Sequence, residues 1–192
     1  MNLINVDFND LKSQNSDVVG WIRVNGTNIN YPFVQTVDNS FYLNHSFTKG
    51  NNQSGWAFMD FRNNSSDYDK NTIIYGHSLQ SGAIFGTLKN VFSDEWKNNF
   101  NNHIIKLSTP NENSLWRVFS IYTISDTSDY LKTVFDSDDD FFAFKDMLLS
   151  RSVYNFNSDV FAGDKILTLS TCYGNGDTKA VVHAKLIKRE AR

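Results

Sequence analysis

The chain has 192 residues, which suits one domain with a sizeable core. Hydrophobic residues are 40% and charged residues 20%, which excludes a disordered chain, and a net charge of −3 without a basic stripe gives no support to a nucleic-acid partner. No apolar run is long enough to span a membrane, and the single cysteine excludes an internal disulfide.

The opening residues, MNLINVDFNDLK, lack the charged and apolar regions of a signal peptide, so the chain is expected to be either cytosolic or separated from its targeting segment. Asn5 to Ser16 sets Val6, Phe8 and Leu11 among polar residues, the pattern of a short amphipathic helix. Val18 to Val24 reads as a strand. Asn25-Gly26 then predicts a type I′ turn, in which both central residues take positive φ. Asn28 to Val34 is the return strand, with Pro32 placing it near an edge. Trp56 to Phe61 is a short strand between Asn-rich and Ser-rich surface loops, and Asn71 to Tyr75 is another, bounded by Gly76 and ending at His77.

Ile84 to Phe100 repeats at helical spacing through Leu88, Val91, Phe92 and Trp96, as one helix or two short helical turns. Ile104 to Leu107 and Ser114 to Ile124 read as paired strands. Ser137 to Ser150 is the clearest helix: Ser137 can cap it, Asp138, Asp139 and Asp140 suit its positive end, and Phe141, Phe144, Met147 and Leu148 form its apolar face. Ile166 to Thr171 reads as a strand, Tyr173 to Thr178 as a loop and Ala180 to Ile187 as the last strand. Many short strands with few helices predict a mostly β barrel or sandwich with helices outside it.

The lone thiol, Cys172, falls where a strand opens into a Gly-rich loop, and His77 also sits at a strand exit. A single cysteine with a histidine elsewhere is a candidate nucleophile and base; the alternative is a buried cysteine acting as a small hydrophobe. His45 lies in a polar loop, His103 opens a strand, and His183 lies inside the last strand, facing solvent or packing. No His and Cys cluster has zinc spacing, no Gly-rich phosphate loop is present, and no acidic cluster of calcium-ligand type stands beside these residues, so neither metal nor cofactor is expected.

Tyr75-Gly76-His77 and Thr168-Leu169-Ser170-Thr171-Cys172, 95 residues apart (172 − 77), resemble the catalytic histidine and cysteine motifs of class B sortases, the cysteine transpeptidases of Gram-positive bacterial surfaces. Phe58-Met59-Asp60-Phe61-Arg62-Asn63, Asp38-Asn39 with Tyr42-Leu43-Asn44, and the closing Val181-Val182-His183-Ala184-Lys185-Leu186 are similar as well, so the resemblance runs from about Val18 to the end. It implies a closed eight-stranded β-barrel with N-terminal helices and a long helix near the C-terminus. Residues 1–192 would be one catalytic domain, with 1–17 an N-terminal helical segment and the membrane anchor outside this chain.

The resemblance further implies Cys172 as nucleophile and His77 as the group that carries the proton. The substrate would be a surface protein with an Asn-Pro-x-Thr-x-like sorting signal, cleaved after threonine at the extracellular face of the cell membrane. An amine of a cell-wall precursor or of a pilin would then receive the acyl group. Asn39, Leu43, Tyr75 and Ser170 match positions lining the sorting-signal groove. The family also uses an arginine; here alignment puts Lys179 in its place, or Ala180 if the loop shifts by one residue, with Arg62 and Arg117 as candidates by type. Two other classes share these residues: a cysteine peptidase or amidase that releases its acyl-enzyme to water, and a non-catalytic surface binding module.

Overall fold

The computed structural model describes residues 2–125, 127–172 and 178–192, at Cys172 the backbone only. Among the described residues the strands are β1 (Val18–Val24), β2 (Asn30–Val34), β3 (Phe58–Met59), β4 (Asn71–His77), β5 (Ile104–Ser108), β6 (Glu112–Ile124), β7 (Ile166–Cys172) and β8 (Lys179–Ala191). They close into a barrel in the order β1-β2-β3-β4-β7-β8-β6-β5. The α-helices α1 (Phe8–Gln14), α2 (Asp94–Asn98) and α3 (Asp138–Arg151) lie outside it. The mostly β barrel with peripheral helices expected from the sequence is therefore the fold.

Period-2 alternation sorts the side chains. Ile22 and Val24 of β1, Ile74 of β4, Leu167 and Leu169 of β7 and Val182 and Ala184 of β8 fill the interior together with Trp96 and Trp116. The opposite set feeds two outer clusters. Phe119, Tyr122, Tyr130, Ile166 and Val181 pack with Phe141, Phe144 and Leu148 of α3. Ile73 and Tyr75 pack with Phe8 of α1 and with Tyr42, which belongs to the 3-10 turn Phe41–Leu43. The caps act as read: Ser137 Oγ accepts from the Asp140 N–H at 3.2 Å and starts α3.

One local expectation gives way. The β1–β2 hairpin does turn at Asn25-Gly26, with the Thr27 N–H on the Val24 carbonyl at 3.3 Å. Gly26 alone has positive φ, +73°, so the turn is not type I′. A Cβ at Gly26 would stand 2.7 Å from the Trp96 ring, a second reason for glycine. The segment 84–100 takes the second of its two readings, short helical turns: a 3-10 turn at Leu88–Phe92 ends at Ser93, whose hydroxyl caps α2 by accepting from Trp96 N–H at 3.2 Å, and a further 3-10 turn spans Phe100–His103. Pro32 lies where β2 has a partner on one side; pairing with β3 is limited to Val34 with Phe58.

Candidate active site

β4 and β7 are neighbours and run parallel, with Asn71 against Ile166 at one end and His77 against Cys172 at the other. Tyr75 stands against Ser170 one alternate step earlier. Ile74, Leu167 and Leu169 point inward, while Ile73 and Tyr75 join an outer cluster. His77 continues that outer set, so the barrel wall itself brings the histidine and the cysteine position together outside the core.

His77 is half-buried, and its Nε2 lies 2.6 Å from the Leu43 carbonyl oxygen. A carbonyl only accepts, so Nε2 carries a hydrogen, and Nδ1 is left as the ring atom that can take up or give a proton. Leu43 ends the 3-10 turn between β2 and β3. Gly55, at φ +59°, backs this contact: a Cβ there would be 2.4 Å from the Tyr42 carbonyl oxygen and 2.8 Å from both His77 Cδ2 and the Leu43 oxygen. Only glycine combines that backbone angle with that closeness.

β8 runs antiparallel to β7 on its other side, and the last pair is Ser170 with Val181. The ladder stops there; β7 runs on to Cys172, and β8 begins at Lys179. The Ala180 N–H donates to Thr171 Oγ1 at 2.8 Å, and the Ala180 side chain packs on the interior cluster. Lys179 falls in the outer alternate set with Val181 and His183, and pairs across β8 with Ile124 of β6. Of the two alignments for the family's arginine, only Lys179 is on the outer wall.

Asn39 and Tyr75 converge on Asp60, which is fully buried. Asp60 Oδ2 accepts from the Tyr75 hydroxyl at 2.8 Å, from Asn39 Nδ2 at 3.1 Å and from Arg62 Nη2 at 2.8 Å; Oδ1 accepts from Arg62 Nε at 2.8 Å and from its backbone N–H at 2.9 Å. Burial pushes this carboxyl up, but the Arg62 and Tyr75 hydrogen bonds and the Arg62 charge outweigh it and hold it below the usual carboxylate range. Ser170 is 1% exposed and shares a 2.9 Å hydrogen bond with the Tyr130 hydroxyl. The structure thus brings His77, with the Leu43 carbonyl on its ring, and Tyr75 beside Cys172 and Ser170 of β7, and ties Asn39 to Tyr75 through Asp60.

The other histidines are engaged elsewhere. His45 stacks on Phe41 at 4.0 Å and bonds its carbonyl; His103 sits among Trp96, Phe100, Tyr154 and Phe156 with Nε2 on the Lys97 carbonyl at 2.8 Å. His183 is buried against Tyr122 and Thr168, packed rather than facing solvent. Arg117 is on β6, paired with Ile104 of β5 and Lys185 of β8 and exposed. Arg62 is committed to Asp60 and to the Leu131 carbonyl at 3.0 Å. Tyr130 and Asp60 carried no catalytic signal in the sequence: Tyr130 lies in a stretch without periodicity, and Asp60 was visible only inside the Phe58–Asn63 motif. The loop read at Tyr173 to Thr178 lies, except for Thr178, outside the described residues. Among the described residues no group of His, Cys, Asp or Glu is placed to hold a metal ion.

The Sortase domain family matches residues 22–187. The chain belongs to the sortase family. Sortase B of Staphylococcus aureus is 36% identical over 185 residues, covering 94% of this chain and 75% of that protein. Sortase B of Listeria monocytogenes is 31% identical over 186 residues, covering 95% and 75%. A solved S. aureus sortase B–substrate complex superposes with a TM-score of 0.88 at 35% identity, covering 94% of this chain and 84% of that one. These matches place the chain with the class B sortases, as a cysteine transpeptidase that acts on a sorting signal. The family is membrane-associated at the cell surface; no helix among the described residues is long and apolar enough to cross a membrane.

Proposed function

We propose that Cys172 is the nucleophile and His77 the proton carrier of this transpeptidase, and that the observation supporting this pair is their register across β4 and β7 with His77 Nε2 occupied by the Leu43 carbonyl. A free thiol is only partly ionised near neutral pH, so a neighbouring group that accepts its proton raises the reactive fraction. With Nε2–H committed, Nδ1 is the atom that exchanges it. The sulfur adds to the scissile carbonyl carbon and charge moves to oxygen. Collapse expels the amine, which leaves with a proton from His77, and a thioester remains on Cys172. The acceptor amine then attacks the thioester, loses its proton to His77 and releases the thiolate.

Lys179, which opens β8 as Cys172 closes β7, supplies positive charge for the thiolate and the oxyanion. Asn39, Leu43, Tyr75 and Ser170 line the groove for an Asn-Pro-x-Thr-x-like signal cleaved after threonine, and the catalytic unit takes in residues 1–192. The acceptor is an amine of a cell-wall precursor or pilin, and the enzyme works at the extracellular face of the membrane.

Mass spectrometry after incubation with such a peptide tests this reading. The expected result is an acyl adduct on Cys172 that a supplied amine resolves into a transpeptidation product. Cys172→Ala should abolish cleavage and His77→Ala should be nearly as damaging. Retained turnover in Cys172→Ala would move the nucleophile elsewhere, and release to water alone would make the protein a peptidase.

A further inference from the structure

At the outer cluster that packs on α3, four buried polar side chains form a belt with one member from each of four adjacent strands: Asn71 of β4, Thr168 of β7, His183 of β8 and Tyr122 of β6. Thr168 Oγ1 lies 2.7 Å from Asn71 Oδ1 and 2.8 Å from His183 Nδ1, and the Tyr122 hydroxyl lies 2.8 Å from His183 Nε2. Asn71, Thr168 and His183 are each 0% exposed and Tyr122 is 2% exposed, so no bond here is exchanged for one to solvent without cost.

The proton order along the belt follows from one end. Asn71 Nδ2 faces two carbonyls, those of Lys132 at 2.9 Å and Tyr130 at 3.3 Å, so the amide nitrogen must be on that side and its oxygen on the other. That oxygen only accepts, so the Thr168 hydroxyl spends its hydrogen on it. Thr168 Oγ1 must then accept from His183 Nδ1–H, and His183 Nε2 accepts from the Tyr122 hydroxyl. Burial, with the Arg151 charge adding to it, pushes His183 down to about 3, in keeping with a neutral ring.

The belt ends on a strap of chain. The carbonyls of Tyr130, Leu131 and Lys132 are held by side chains, the first and third by Asn71 and the middle one by Arg62 at 3.0 Å. The Tyr130 hydroxyl reaches Ser170, one alternate step from Cys172. Were the Asn71 amide to turn over, its oxygen would face two carbonyl oxygens and drive the strap off. That turn would also reverse the donor order of the whole belt, through Thr168 and the His183 tautomer to the Tyr122 hydroxyl.

We propose that His183 is a positioning residue, which through Thr168 locks the Asn71 amide and so fixes the strap 130–132 beside the sorting-signal groove. The role rests on the groove assignment made under Proposed function and concerns affinity for the peptide, not the chemistry at Cys172.

The test compares His183→Val, Thr168→Val and Thr168→Ser with the unaltered protein on one sorting peptide, reading KM and kcat separately. The rate of Cys172 alkylation by iodoacetamide, which needs no groove, is read beside them. His183→Val and Thr168→Val should raise KM about ten-fold, with kcat and alkylation within about two-fold, the signature of lost binding shared by ground and transition states. Thr168→Ser keeps the hydroxyl and should restore KM. If His183→Val does not fold, the Thr168 pair carries the same comparison. Unchanged KM in folded Thr168→Val, or equal loss of kcat and alkylation with KM, would overturn the proposal. Turnover surviving in Cys172→Ala is a separate failure, of the catalytic assignment.

Discussion

His77 Nε2 stands 2.6 Å from the carbonyl oxygen of Leu43, so the orienting partner of the histidine is a backbone group, not an acidic side chain. Its position is set by the 3-10 turn Phe41–Leu43 and by Gly55 behind the ring. Gly55→Ala should displace the carbonyl and the imidazole together. A misplacement of this kind costs about 10²-fold in rate, so kcat should fall by about that factor while the protein remains folded. Stopped-flow turnover beside a thermal melt checks it; a folded variant with the native kcat would show that this carbonyl does not orient His77.

Lys179 gives the second prediction. Losing one well-placed oxyanion donor costs about 10²–10³ in rate. Lys179→Ala should lower kcat/KM toward that range, and Lys179→Arg, with a fixed fork of donors, should raise it above the native value. Ala180→Arg would drive a guanidinium into the interior cluster that Ala180 packs against and should destabilise the barrel instead of aiding the reaction. Equal kcat/KM for the Ala, Lys and Arg forms at 179 would remove this residue from the site.

Strand positions were legible in the sequence because each strand carries its own alternation: Val18–Val24 has the predicted bounds, and β4 and β7 start where their apolar runs start. Their pairing was not, since nothing in Asn71–His77 names a partner 95 residues away. Side chains that donate or accept through chemistry of their own, such as His77, were visible. The Leu43 carbonyl was not, because a backbone group has no residue signature. The belt was hidden for a related reason: His183 and Thr168 read as ordinary strand residues until β7 and β8 are placed side by side.

Asp60 carries the third prediction. It is fully buried and accepts from Arg62, Tyr75 and Asn39. Asp60→Asn turns an amide nitrogen toward donors and leaves the Arg62 guanidinium without its carboxylate. Breaking one side of a buried pair costs about 3–5 kcal/mol, and the half-exposure of Arg62 puts the expected loss at the lower end, about 3 kcal/mol. Urea titration of the two proteins measures it, and matching midpoints would mean that solvent replaces the carboxylate fully.

Acid sensitivity gives the fourth. His183 binds a proton near 6.5 when unfolded but only near 3 in the fold. Between those values the unfolded chain holds the extra proton, so stability is flat above 6.5 and falls as pH drops through the window, by at most about 1.4 kcal/mol per pH unit from this group. Asp60 acts lower: its folded value lies below 3.8, so its contribution is present above 3.8 and is lost as pH falls through the folded value. His103, also lowered by burial, leaves some slope of its own. Denaturation midpoints from pH 7 to 4 should therefore fall for the native chain and fall less steeply for His183→Gln; parallel curves would show that His183 takes up its proton without unfolding.

In the barrel order, β7 and β8 are inserted together between β4 and β6. Without that C-terminal pair the remaining order, β4-β3-β2-β1-β5-β6, is an open sheet with β4 and β6 as its edges. Cys172 therefore lies on the same strand pair that closes the wall, and His77 has a strand neighbour on that side only in the closed barrel. A nascent chain stopped short of Ile166 carries His77 without a thiol and two strands ready to pair with any other chain. An incomplete barrel therefore leaves two strand edges open and His77 without the strand that carries Cys172.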